Sequence, residues 1–307
     1  MIFSRNSMNV NTFFPVLALL WAAAFWGIVW YPLRLLEGAG MSALWTTWVI
    51  FLAAALPGLW ISWSRRAELL EQPGLLLLIA VANGWLNTAF VLAVLDGNVV
   101  RVLLLFYLSP LWSTLLAWWW LGEKPSRFGL ATLGLAMFGA LLMLWNPEFG
   151  FPWPQDTAEW FAISAGIGFS ISNVALRRLK HISDPVKATV AWWGVVIMVG
   201  VWLLVAQVPF PDITGDVLGW AVGLGAVGIF TATLAVVYGV SKMPVHRSAV
   251  ILLFEIVAGA ISSQWLTNEI VKPIEWFGGG LIMLAAYLSS RESTGAPEKA
   301  PTQNNRK

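Results

Sequence analysis

The chain has 307 residues, 58% of them hydrophobic and 11% charged, with a mean hydropathy of +0.73; soluble domains carry about 25% charged residues, so this composition excludes an ordinary water-soluble globule. The net charge of +2 is carried by short basic clusters between apolar blocks rather than by one patch, which excludes a nucleic-acid-binding face. There is no cysteine, which excludes disulfides and thiolate chemistry and agrees with a bacterial inner membrane.

Apolar residues come in blocks of roughly 18–24, each long enough to cross about 30 Å of hydrocarbon as a helix. In chain order the expected spans are Phe14 to Leu35, Ser42 to Trp63, Gly74 to Leu95, Val99 to Leu121, Phe128 to Trp145, Trp160 to Leu179, Val186 to Val208, Val217 to Val240, Ser248 to Leu266 and Ile274 to Leu288. The first block is too long for a signal-peptide core and leaves through Trp30, Tyr31 and Pro32 rather than small residues, so it reads as a spanning helix. Helices are the expected element, because open strands cannot satisfy their backbone in lipid. Counting Lys and Arg on alternate sides gives fifteen against three, the minority being Arg34, Arg101 and Lys272. The positive-inside rule then places both termini in the cytoplasm. The resulting division is a cytoplasmic N-terminus (1–13), a first five-helix unit (14–145), an extracytoplasmic connecting loop (146–159), a second five-helix unit (160–290) and a polar, disordered cytoplasmic tail (291–307). Many of the 21 tryptophans, such as Trp60, Trp63, Trp118, Trp119, Trp120, Trp145, Trp153 and Trp160, sit at expected span ends and read as an aromatic belt.

The two units echo each other. Arg101 precedes Glu123 by 22 residues, and Arg247 precedes Glu269 by the same 22. Phe25, Trp26 and Arg34 pair loosely with Gly168, Phe169 and Arg177. Five spans per unit is an odd number, so the second unit enters from the opposite side, which makes an inverted repeat with a site expected near the midplane. Chance similarity of Leu-rich segments is the competing explanation.

The segment Phe106-Tyr107-Leu108-Ser109-Pro110, followed by the run to Gly122-Glu123-Lys124, resembles the fourth helix of the EamA family in the drug/metabolite transporter superfamily. The opening Leu20-Trp21-Ala22-Ala23-Ala24-Phe25-Trp26-Gly27 is similar to that family's first helix, with Ala22 and Ala23 where members often carry Gly-Ser. In the second unit Glu255 and Ile256 stand where the first has Ser109 and Pro110, and Asn268 replaces a glycine. The resemblance runs from Phe14 to Ser290. It implies an all-α fold of ten transmembrane helices in two inverted five-helix repeats. Helices one, three, four, six, eight and nine would line a central cavity, and the function would be export of amino acids and related metabolites.

Glu255 is the foremost candidate. It lies eight residues past Arg247, about 12 Å along the helix axis, at a depth where an acid costs ~2.5 kcal/mol or more and faces a cavity or a partner. Its face reads Ser248, Leu252, Glu255, Gly259 and Ser262. One role is proton coupling or binding of a substrate amine; the other is holding helices together. Asn83 and Asn87 share a face of the third span and read either as substrate hydrogen-bonders or as interhelical ties. Stripes of Gly166, Ser170, Asn173 and Arg177, and of Gly228, Thr231, Ala235 and Tyr238, suit a wet cavity wall or small-residue packing alike. Trp21, Trp26 and Tyr107 are candidates for an aromatic wall stacking on a planar or cationic substrate, with lipid-facing or packing roles as the alternative. Pro110 would break the helix beside the cavity. Arg101 and Arg247 are candidate gates to an anionic substrate, or headgroup-bound arginines. Glu123 and Glu269 read as interfacial.

His181 and His246 are expected in loops, with no shared ligand spacing, and there is no zinc-protease, P-loop or nucleophile-elbow motif. No cofactor and no metal are expected. The expected partners are a small-molecule substrate, membrane lipids and coupling protons. The leading reading is a proton-linked secondary transporter. Its competitors are a lipid flippase or non-transporting membrane partner and, least supported, an enzyme acting on lipid-linked substrates.

Overall fold

In the computed structural model, which describes residues 10–97, 99–145, 153–267 and 271–291, every regular element among the described residues is a helix. The first apolar block forms α1 (Val10–Ile28) and α2 (Trp30–Gly38), joined through Val29. Next come α3 (Ala43–Ser64), a short connecting helix α4 (Arg66–Glu71) and α5 (Pro73–Asp96). The fourth block is divided into α6 (Val99–Phe106), α7 (Ser109–Leu116) and a π-helical turn over Ala117–Leu121, which ends at Gly122 with φ 69°. The first unit closes with α8 (Arg127–Leu144). The second contains α9 (Thr157–Arg178), α10 (Asp184–Val205) and α11 (Gly215–Gly223), which continues through a π-helical turn (Leu224–Ile229) into α12 (Phe230–Lys242). It ends with α13 (Val245–Leu252), α14 (Phe254–Leu266) and α15 (Pro273–Arg291).

Eight of these helical stretches are long and apolar enough to cross a membrane: 13–38, 43–64, 73–96, 101–121, 127–144, 184–205, 215–242 and 245–266. The two remaining expected spans, α9 and α15, have the length, 22 and 19 residues, but not the apolarity. The reason for α9 is that its polar residues Glu159, Ser170, Ser172 and Asn173 are buried inside the bundle. Several boundaries differ from the sequence expectation. α9 starts at Thr157 and takes Glu159 out of the connecting loop, because the Asp156 carboxylate caps the helix by accepting the Glu159 N–H at 2.9 Å. α15 runs on to Arg291. His246 lies buried in α13 rather than in a loop. Glu269 and most of the polar tail lie outside the described residues.

Packing follows a swap of the two units. α1 packs on α12 and on α13 and α14; correspondingly, α9 packs on α5 and on α6 and α7. α10 packs on α5, and its counterpart α3 packs on the π turn preceding α12. Contact order along the helices gives their directions. α1 and its continuation α2 run parallel to α14, since Gly27 in α1 meets Gly259 and Trp30 in α2 meets Ser262. α9 runs parallel to α6 and α7, since Arg101 meets Glu159 and Glu123 meets Arg177. Val245, at the start of α13, bonds Glu123 at the far end of the α7 stretch. α13 and α14 therefore run against α7, and α1 runs against α9.

On the swap axis, α8 and α15 meet through reciprocal glycines. A Cβ on Gly139 would lie 2.6 Å from the Gly278 carbonyl oxygen, and a Cβ on Gly278 would lie 2.6 Å from that of Gly139. Neither oxygen can retreat without moving a helix, so this close approach requires glycine on both sides. Gly139→Leu or Gly278→Leu is expected to cost about 1–3 kcal/mol through overpacking, read as a lower melting temperature in detergent. Unchanged melting in both variants would show that the seam is not tight.

Outside the spans, Glu68 on α4 accepts the Ser183 N–H at 2.7 Å and meets Arg65 at 3.2 Å. Partial burial alone would raise its pKa, but the Ser183 hydrogen bonds and the Arg65 guanidinium outweigh it and hold the carboxyl below its ordinary value. A depressed carboxyl pKa contributes stability that is present at neutral pH and is lost as pH falls through the folded-state pKa. Amide exchange at Ser183 is accordingly expected to lose protection on acidification into that range, and Glu68→Gln should remove this pH dependence. An acid-independent Ser183 amide would contradict the tie.

Candidate functional site

The break between α6 and α7 originates in Pro110. Proline lacks an N–H and its ring displaces the carbonyl four residues back, here that of Phe106, and the helix is interrupted at Tyr107 and Leu108. The Phe106 carbonyl is accommodated by Gly166 on α9, where a Cβ would lie 2.9 Å from it. α13 and α14 are interrupted at the matching place, Leu253, where ψ is −13° against −9° at Leu108. The two breaks bring Tyr107 and Glu255 together: the Tyr107 hydroxyl donates to Glu255 Oε1 at 2.9 Å.

Beside this pair lies a cavity of about 170 Å³, space for on the order of ten waters or one small molecule. Its polar wall includes Asn83 and Asn87 on α5, Ser109 on α7, Ser172 and Asn173 on α9, Thr233 on α12 and Glu255 on α14. Aromatic rings complete it: Trp26, Phe51, Phe90, Phe106, Tyr107, Phe169 and Trp192. Phe106 is central among them, with ring centroids 5.0 Å from Phe90, 5.4 Å from Tyr107 and 6.0 Å from Phe169. The Trp192 ring stacks on Phe230 at 5.1 Å. Among the described residues on this wall there is no Lys, Arg or His.

Hydrogen bonds set the polarity of the wall. The Asn83 amide donates to the Ile79 carbonyl at 3.0 Å and to Ser172 Oγ at 2.6 Å, and the Asn87 amide donates to the Asn83 carbonyl at 3.0 Å. Because backbone carbonyls only accept, these bonds fix which end of each side-chain amide is nitrogen.

Of the candidates named from sequence, the structure brings Glu255, Leu252, Asn83, Asn87, Tyr107, Pro110, Trp26 and Asn173 to this cavity and leaves the others elsewhere. Trp21 is 56% exposed on the outer surface. Ser170 is fully buried in the seam between α9 and α7, against the Ser109 carbonyl at 2.9 Å, and accepts a bond from Ser113 at 2.9 Å. Thr231 is exposed and bonds back to the Val227 carbonyl at 2.8 Å, while Tyr238 is half-buried off the cavity wall. The face through Glu255 divides: Leu252 and Glu255 face the cavity, whereas Gly259 and Ser262 pack on α1 and α2, with Ser262 donating to the Gly27 carbonyl at 3.0 Å and accepting the Trp30 indole N–H at 2.9 Å.

The arginines proposed as gates are structural ties away from the wall. Arg101 forms a two-pronged ion pair with Glu159, one contact at 2.9 Å, and donates to the Trp153 carbonyl at 2.9 Å. Arg247 donates to the Ser289 and Ser290 carbonyls at 2.8 and 3.0 Å, fixing α13 to the end of α15. At the other end of α9, Arg177 pairs with Glu123 at 2.9 Å and donates to the Ser241 carbonyl at 2.9 Å. Glu123, expected to be interfacial, thus links α9 to the start of α13. Helices α3 and α10 also reach the cavity, through Phe51 and Trp192, beyond the six helices the resemblance implied.

Sequence reasoning missed Phe169, Ser172, Trp192 and Thr233. Phe169, Ser172 and Leu176 form one helical stripe of α9, about a quarter-turn from the small-residue stripe of Gly166, Ser170 and Arg177, with Asn173 on the border between the two. Glycine and serine mark the stripe that packs against α7, and the bulkier stripe beside it meets open space.

A helical bundle spanning a membrane around one polar and aromatic central cavity is the architecture of a multi-pass transporter. The chain belongs to the EamA-like transporter family, which it matches twice, over residues 13–145 and 156–291, and it is therefore a membrane transporter of the drug/metabolite type. A solved structure described only as "Crystal structure of protein" shares the fold, with a TM-score of 0.68 over 93% of this chain and 97% of that one at 19% identity. No curated protein matches this chain.

Proposed function

We propose that this protein is a proton-linked secondary transporter that exports small metabolites across a bacterial inner membrane by alternating access. In this reading α9 and α15 also cross the bilayer, giving ten crossings in two inverted units with both termini cytoplasmic. The opposite directions of α1 and α9 and the fifteen-to-three bias of Lys and Arg support that arrangement.

The observation that carries the proposal is Glu255: one acid on the wall of a central cavity, hydrogen-bonded by Tyr107 at the meeting point of two interrupted helices. The titratable neighbour facing it is Tyr107. α1, packed on its other side, offers the Gly27 backbone and the Trp26 indole. An acid so placed exchanges its proton for cargo, so cargo and proton occupy it alternately and an inward proton gradient drives cargo out. Seven of the amino acids on the wall are aromatic, which suits a cargo with a flat or apolar body. Purified protein in liposomes should accumulate or release cargo in response to an imposed pH gradient and not to ATP. Flux indifferent to the gradient would overturn proton linkage.

A further inference from the structure

The same cavity carries more specific information about its cargo. We infer that it binds small organic monocations, amines on a flat or apolar body, and discriminates against the carboxylate of amino acids; this rests on the reading of the cavity as the cargo site.

The first ground is charge. Glu255 is the acid on the wall, and among the described residues no Lys, Arg or His shares it. The cations nearest along the same helices are engaged elsewhere: Arg247 with the Ser289 and Ser290 carbonyls, Arg101 with Glu159, Arg177 with Glu123, Lys187 with Asp184 at 3.0 Å. A cargo carboxylate entering this site would lose water and gain no counter-charge, while facing Glu255.

The second ground is hydrogen-bond polarity. Both amide hydrogens of Asn83 are already given, to Ile79 and Ser172, and Asn87 gives one to Asn83. The Tyr107 hydroxyl is directed at Glu255 Oε1. Among the described residues Asn83 Oδ1, Asn87 Oδ1 and Glu255 Oε2 accept no hydrogen bond. The wall thus offers three unused acceptors, one of them on the charged Glu255, while the donors it has to spare, on Asn87, Asn173 and Trp192, are all uncharged. A primary ammonium brings three donors and no acceptor, whereas a carboxylate brings only acceptors.

The third ground is the rings. Trp26, Phe90, Phe106, Phe169 and Trp192 present faces and edges to the same space. Aromatic faces attract a desolvated cation and bury an apolar body. The cavity of about 170 Å³ limits that body to roughly one or two rings.

The test uses the full-length chain purified in detergent and three probes with the same phenyl ring and a short side chain. These are 2-phenylethylamine (cation), phenylalanine (zwitterion) and 3-phenylpropionate (anion), titrated calorimetrically at neutral pH. The amine is expected to bind at least about tenfold more tightly than phenylalanine, equivalent to ~1.4 kcal/mol, and the anion is expected to give no heat of binding in the millimolar range. Glu255→Gln should weaken the amine at least about tenfold, whereas Leu141→Ala on the outer surface should leave it unchanged. The ligand series on the unaltered protein stands even if Glu255→Gln does not fold. Equal or tighter binding of phenylalanine, or no binding of the amine, overturns the inference. If amine binding holds but no pH-driven flux appears, the transport reading fails and the site chemistry stands. If pH-driven flux of another cargo class is present while the amine is silent, the inference alone fails.

Discussion

Replacing Glu255 with glutamine is expected to abolish coupling between cargo flux and the pH gradient, while the protein still folds and inserts. Glutamine preserves the shape of the side chain and can still accept the Tyr107 hydroxyl, which now lies 2.9 Å from Glu255 Oε1, but it cannot exchange a proton or neutralise a cation. In liposomes, gradient-driven flux should fall to the level of empty vesicles, a loss of at least about a hundredfold for an essential proton-exchanging group. Counterflow in the absence of a gradient should fall as well if cargo is cationic, because the amine loses its counter-charge. Tyr107→Phe removes the hydrogen bond and leaves the acid, so it should reduce coupled flux far less. Undiminished, still proton-coupled flux in the Glu255→Gln variant would remove this residue from the mechanism.

The second large effect is expected at the Arg101–Glu159 pair, and on stability rather than on transport chemistry. Both side chains are nearly enclosed, at 8% and 3% exposure, and the pair joins α6 to the first turn of α9. Glu159→Gln leaves the guanidinium buried against a neutral group. Breaking one side of a buried pair costs about 3–5 kcal/mol, whereas replacing both sides with apolar groups of similar volume costs much less. Thermal unfolding in detergent should therefore show a large drop for Glu159→Gln and for Arg101→Met alone, and a partial recovery in the Arg101→Met, Glu159→Met double variant. A single variant that melts with the unaltered protein would show that the pair is solvated in practice. The Gln155 N–H, held at 2.8 Å by Glu159 Oε2, and the Trp153 carbonyl, at 2.9 Å from Arg101, are tied to the same pair. Its loss should therefore also release the segment before α9.

These two residues illustrate different kinds of legibility. Glu255 is visible in sequence because an acid in the middle of an apolar run is costly in lipid and has to face a cavity or a partner. Arg101 is visible too, but its role is not, since Arg near a span end suits headgroups, a gate or an ion pair equally well. Its partner Glu159 reads from the sequence as part of the connecting loop. The Asp156 cap that starts α9 earlier is a local signal that sequence offers, whereas the meeting of residues 58 apart in the chain is not.

The sequence by itself determined eight apolar blocks long enough to span, their helical nature, the mid-helix proline break and the family, because each depends on the length, hydrophobicity or motif of a contiguous stretch. It also indicated Glu255, Asn83 and Asn87 through the cost of polar groups at membrane depth. Only the tertiary structure decided which stripe of each helix faces the cavity. Periodicity gives the repeat of a helix face but not its rotation about the axis. In a membrane bundle the usual marker of that rotation, polar out and apolar in, is missing because the outside is apolar too. That is why Ser170 and Thr231 were candidates and Ser172 and Thr233 were not, although each pair is two residues apart. Arg101, Arg247 and Glu123 became ties for the same reason: their partners come from other helices, and only packing brings them within reach.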